Sequence, residues 1–125
     1  MVFLDTNVVM RYFLDDHVEL SENARQIIDS DTNLFICEGV CAEIVYVLSK
    51  VYLVEREIIK QTMGDFIDKE NIHVSNKELV SNSLELFATQ SLDYMDCLLC
   101  AYNHIENVKI ETFDKKLKKL LKVIG

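Results

Sequence analysis

A chain of 125 residues, half of them hydrophobic, can bury a core of its own without disulfide or metal staples, so one domain over 1–125 is expected. Its formal net charge of −8, from 21 acidic and 13 basic residues, excludes a general nucleic-acid-coating protein, because phosphate binding needs positive surface. No apolar run approaches the ~18 residues of a membrane span, and Asp5, Asn7 and Arg11 interrupt the start too early for a signal peptide, which makes a soluble cytoplasmic protein the expectation.

Val2-Phe3-Leu4 followed by Asp5-Thr6-Asn7 describes a buried strand that delivers a carboxylate to its C-terminal end, with small polar residues suited to capping the next helix. That helix, over 8–14, is apolar almost all round and stops at Asp15-Asp16. Val18, Leu20, Ala24, Ile27 and Ile28 recur at helical spacing and predict an amphipathic helix over 18–30, closed by the turn Asp31-Thr32-Asn33. Leu34 to Cys37 reads as a central strand covered on both faces.

Gly39 opens a helical stretch to about Leu53 in which Glu43 stands among apolar residues, and a further helix over 55–69 carries Ile58, Ile59, Met63, Phe66 and Ile67. Ile72-His73-Val74 predicts a short strand with His73 facing out as a structural residue, then a helix capped by Ser75 or Asn76 and running to about Thr89. Another helix is expected from Asp93 to about Asn107, with Ser91 or Asp93 near its cap. Lys109 to Phe113 alternates as a strand ending at Asp114. The tail from Lys115 reads as a helix, and Val123-Ile124 as a last short strand. Alternating strands and helices imply an α/β sandwich around a mostly parallel sheet, whose ligand site lies beyond the strand C-termini. Asp5 and Asp114 are both expected there.

Four acids have apolar sequence neighbours: Asp5 after Phe3-Leu4, Glu43 within Cys41 to Val45, Asp96 within Tyr94 to Leu99, and Asp114 after Phe113. An unpaired buried carboxylate costs several kcal/mol or takes up a proton, so something should compensate them. Protein cations look insufficient, since Arg11, Arg25 and Arg56 are scattered and Lys109, Lys115, Lys116, Lys118, Lys119 and Lys122 are gathered in the tail. Mg²⁺ or Mn²⁺, which prefers a few carboxylate oxygens plus water, would do so. The competing explanation is that Asp5 and Asp114 cap helices, Asp96 sits in a first helical turn with Asp93, and Glu43 points to water. The tail lysines have two readings as well, a solvated helix face or a phosphate-facing patch. Cys37, Cys41, Cys97 and Cys100 have zinc-like spacing, but the apolar, helix-like runs around them favour buried reduced thiols.

Leu4-Asp5-Thr6-Asn7-Val8, Ala42-Glu43-Ile44-Val45-Tyr46-Val47-Leu48, Tyr94-Met95-Asp96-Cys97-Leu98-Leu99-Cys100-Ala101 and Glu111-Thr112-Phe113-Asp114, in this order, resemble the motifs of the PIN-domain nucleases. The resemblance is greatest to the toxin ribonucleases of VapBC type. It implies a three-layer α/β/α sandwich around an about five-stranded parallel sheet. It also implies Asp5, Glu43, Asp96 and Asp114 as catalytic and metal-holding acids, with Asn7, Asp93 and Thr112 beside them and Lys115 and Lys116 at the rim.

The activity implied is Mg²⁺- or Mn²⁺-dependent endoribonuclease cleavage of single-stranded or loop RNA, in a homodimer with a small antitoxin partner. The alternative is a non-catalytic PIN-like module that binds RNA or protein. A haloacid-dehalogenase-like phosphatase would need a second acid where Asn7 stands.

Overall fold

The computed structural model describes residues 1–125. Three short parallel strands, β1 (Val2–Phe3), β2 (Leu34–Phe35) and β3 (Ile72–His73), form a sheet in the order β1-β2-β3. Val2 pairs with Leu34 and Leu34 with Ile72, while Phe3 pairs with Phe35 and Phe35 with His73. Single bonds continue the ladder, from Leu4 N–H to Phe35 O at 2.8 Å and from Ile36 N–H to His73 O at 3.0 Å.

The two-residue period of a strand sorts the side chains. Leu4, Leu34, Ile36 and Ile72 are buried. Phe3, Phe35 and His73 form a row on the other side, with ring centroids 6.0 and 5.1 Å apart. The first two strands are short because Asp5 and Cys37, just beyond them, are already helix N-caps.

Seven α-helices surround the sheet: α1 (Thr6–Leu14), α2 (Val18–Ile28), α3 (Glu38–Tyr46), α4 (Arg56–Ile67), α5 (Lys77–Thr89), α6 (Tyr94–Glu106) and α7 (Lys115–Leu120). α1 packs on α2 and α3, α4 on α5, and α6 on α3, α5 and α7. One contiguous cluster of 26 buried residues, Ile44, Met63 and Leu79 among them, forms the core.

Of the two candidate caps for α5, Asn76 fills the role, its Oδ1 accepting the Leu79 N–H at 3.1 Å. The stretch expected as one helix to about Leu53 instead passes from α3 into a π-helical turn, Val47–Val51. It ends with Leu53 at φ 54°, a left-handed conformation that a branched side chain adopts at a cost. No helix is long and apolar enough to cross a membrane.

The α/β class and parallel sheet are as expected, but the sheet has three strands rather than about five. Neither 109–113 nor 123–124 forms a strand. No backbone–backbone hydrogen bond ties either segment to a neighbouring strand, so neither has a ladder. Next to them buried Asn103 fastens the flanking residues, its Nδ2 donating to Val108 O and Lys122 O, each at 3.1 Å, and its Oδ1 accepting the Lys122 N–H at 2.8 Å. A side chain thus joins the chain before the one segment to the chain before the other. His104 Nε2 clasps Leu120 O at 2.6 Å beside it.

Three of the four cysteines, Cys41, Cys97 and Cys100, are buried as expected. Cys37 is exposed, because as the N-cap of α3 it lies outside the helix's packed stripe.

Candidate active site

Asp5 begins α1 with extended backbone at φ −82° and ψ 154°, yet its side chain makes no capping bond. The Val8 N–H is satisfied by Asp5 O at 3.1 Å, so the carboxylate is free. Asp93 occupies the same position on α6, again with no side-chain cap. Asp114 does cap its helix: Oδ1 accepts the Leu117 N–H at 2.9 Å, leaving one oxygen without a helical partner. The loop before it is fixed by Thr112, whose Oγ1 accepts the Asp114 N–H at 3.0 Å.

Asp96, in the first turn of α6, is half-buried. Burial holds its carboxyl above the ordinary range, and the negative charges of Asp114 and Asp93 raise it further. The α6 and α7 N-termini thus gather three acids within electrostatic reach of one another. Asp5 and Glu43 lie on α1's cap and on α3, and the packing of α1 on α3, α3 on α6 and α6 on α7 links the elements that carry all four motif acids.

The expectation that these acids are interior is corrected. Asp5, Glu43 and Asp114 are exposed. Apolar neighbours in sequence mark a packed element, not the side of it on which a given residue falls: Ile44 and Val45 are buried while Glu43, one position earlier, faces solvent. None of Asp5, Glu43, Asp93, Asp96 or Asp114 has a cationic partner. The ion pairs form elsewhere, as in Arg11 with Asp16, Lys60 with Glu85 and Lys77 with Asp68. No three His, Cys, Asp or Glu side chains stand close enough to make a ready metal cage. The oxygen-only donors nevertheless suit Mg²⁺ or Mn²⁺, which keeps several waters and needs only one or two carboxylates.

Two residues whose side chains fasten the surrounding elements were not visible as such in the sequence. Glu38, the first residue of α3, accepts from Tyr102 Oη at 2.5 Å and from Ser75 Oγ at 3.4 Å, tying the end of β2 to α6 and to the end of β3. That bond, then burial, pushes the Tyr102 hydroxyl up to about 12. Arg56 lies over the Phe87 ring at 4.1 Å and donates to the carbonyls of Phe87, Gln90 and Leu92 at 2.9, 2.9 and 2.7 Å. It therefore fastens the connection that leads into Asp93. A cavity of about 250 Å³ lies alongside, with Lys50, Arg56 and Asp93 as its charged lining.

The raised Asp96 carboxyl has a consequence for stability. The folded state binds that proton more tightly than the unfolded one, so the group's contribution is fully present below its unfolded value and is lost as pH rises through the raised folded value. Asp96→Asn should therefore raise Tm at neutral pH in EDTA and flatten the pH dependence just above the ordinary carboxylate range. Thermal melts across that range, with and without Mg²⁺, check it; an unchanged Tm at neutral pH would show that the acid carries no such strain.

A parallel sheet whose first two strands lead straight into helix N-termini, with the free carboxylate of Asp5 at the first of these junctions, defines an α/β domain. The PIN domain family model matches residues 2–122, and the chain belongs to that family. A VapC ribonuclease of Aquifex aeolicus (strain VF5) is 28% identical over 125 residues, covering 96% of this chain and 92% of the relative. No solved structure matches.

Proposed function

We propose that this chain is a single-domain, metal-dependent endoribonuclease of the PIN family. The observation that carries the reading is the set of motif acids, Asp5, Glu43, Asp96 and Asp114, on elements packed one on the next and without a single cationic partner. Asp5 offers both oxygens to a divalent cation, Asp114 its oxygen not engaged in capping, and Asp96 has the most to gain, since its negative charge is the one the fold resists. Glu43 completes the set.

Bound Mg²⁺ or Mn²⁺ would neutralise the scissile phosphate and lower the pKa of a coordinated water. The protein's own contribution is positioning. Thr112 and the α7 cap hold Asp114, and Arg56 holds the approach to Asp93 and Asp96. Asn7 stands exposed one residue beyond the first helical position, and Lys115 and Lys116 supply positive charge at the rim. A flexible single strand suits an exposed acidic site flanked by lysines better than a duplex does.

The VapC ribonuclease relative and the motif resemblance support a toxin role, with a small antitoxin protein as partner, in a cytoplasmic homodimer. One observation favours the second reading, a non-catalytic RNA- or protein-binding module: the absence of a ready three-ligand cage. Incubation with single-stranded RNA separates the two. Cleavage with Mg²⁺ or Mn²⁺ that EDTA stops is expected of the nuclease; binding without cleavage in either metal would establish the module.

A further inference from the structure

Phe113 is 99% exposed, the most exposed large hydrophobic residue of the chain. A phenylalanine in this position forgoes the stabilisation that burial would give it. Its ring joins none of the aromatic pairs of the fold. Its backbone, by contrast, is held on the C-terminal side by the Thr112 bond to the Asp114 N–H at 3.0 Å and by the Asp114 cap on Leu117 at 2.9 Å. A fixed loop therefore presents a bare ring one residue from Asp114.

Immediately beyond, Lys115, Lys116, Lys118 and Lys119 are exposed and take part in no ion pair. In a chain of net charge −8, this concentration of unneutralised ammonium groups beside an acidic site is local. A bare aromatic face next to free cations is the combination by which proteins hold single-stranded nucleic acid: the ring stacks a base of any identity, and the cations follow the phosphates. A duplex, whose bases are already stacked, offers the ring no partner.

We propose that Phe113 is a stacking platform for one unpaired base of the RNA strand. It seats the adjoining phosphate against the acidic site while the lysines of α7 run along the strand. The inference rests on the ribonuclease reading for the site it serves, but it concerns how the strand is seated, not how it is cut.

The chain contains no tryptophan, so Phe113→Trp creates a single fluorescent reporter at the ring itself. In an Asp5→Asn background with Mg²⁺, a short mixed-sequence single-stranded RNA should quench that emission, and the corresponding duplex should not. Phe113→Ala should lose about tenfold or more in affinity for the single strand, while Phe113→Tyr retains it. In the cleaving protein, Phe113→Ala should raise KM more than it lowers kcat.

Equal affinity of the alanine variant and its parent would overturn the inference. So would an emission change that follows protein concentration without RNA, tracked by sedimentation, which would make Phe113 a contact between copies. Stacking through Phe113 with no cleavage in either metal would sink the nuclease reading and leave the platform standing. Cleavage with KM and affinity indifferent to Phe113→Ala would do the reverse.

Discussion

Asp5→Asn should lower Mg²⁺-dependent RNA cleavage by at least about a hundredfold, on the scale of removing one electrostatic stabiliser from an active site. The fold should hardly notice. Asp5 starts α1 through its backbone carbonyl, and its carboxylate makes no cap bond and no ion pair. Tm is therefore expected to stay within about 2 °C of the parent, the shift of a surface substitution worth a few tenths of a kcal/mol. A cleavage assay paired with a thermal melt reads both quantities. Retained cleavage would remove Asp5 from the site, whereas loss of both would mean that the variant had merely unfolded. Asp114→Asn differs instructively, because its Oδ1 also holds the Leu117 N–H, and an amide oxygen can keep that bond while surrendering the charge.

The largest stability effect outside the aliphatic core is expected at Arg56. Three carbonyls from the α5 end and the following loop converge on a single guanidinium nitrogen, Nη1, and the Phe87 ring lies beneath the group. Hydrogen bonds to charged groups are worth about 1.5–3 kcal/mol each, and the two hydrogens of Nη1 are shared among the three carbonyls, so Arg56→Met should cost about 2–4 kcal/mol. Tm would fall by roughly 10 °C. Arg56→Lys keeps the charge but not the planar group over the ring, and should recover only part of the loss. Chemical denaturation of the three proteins gives the comparison directly. Equal midpoints would show that the loop before α6 is held by its other contacts.

These two residues also mark what a sequence can and cannot disclose. The place of Asp5 between β1 and α1 was legible because its signal is local: an apolar strand, an acid, then a helix start. The helices were legible for the same reason, since each carries its own periodicity. Arg56 was not, because its acceptors are backbone carbonyls 31 to 36 residues away, and a carbonyl has no residue type to read.

The expected strand at 109–113 failed in a related way. Its alternation was present, but a strand needs a ladder, and no neighbouring strand offers 109–113 a backbone partner. The exposure of Glu43 shows the finest limit: apolar flanks identify a packed helix, while the side of the helix is set by its rotation in the assembled fold.

The distribution of the thiols makes the protein its own stability probe. Cys37 stands at the surface, whereas Cys41, Cys97 and Cys100 are at most 1% exposed, and burial pushes the thiols of Cys41 and Cys97 up to about 12. A thiol reagent should therefore modify one cysteine at once and the other three only when the fold opens. The slow phase then times that opening in native buffer without denaturant, and a cation that binds the acidic site should lengthen it.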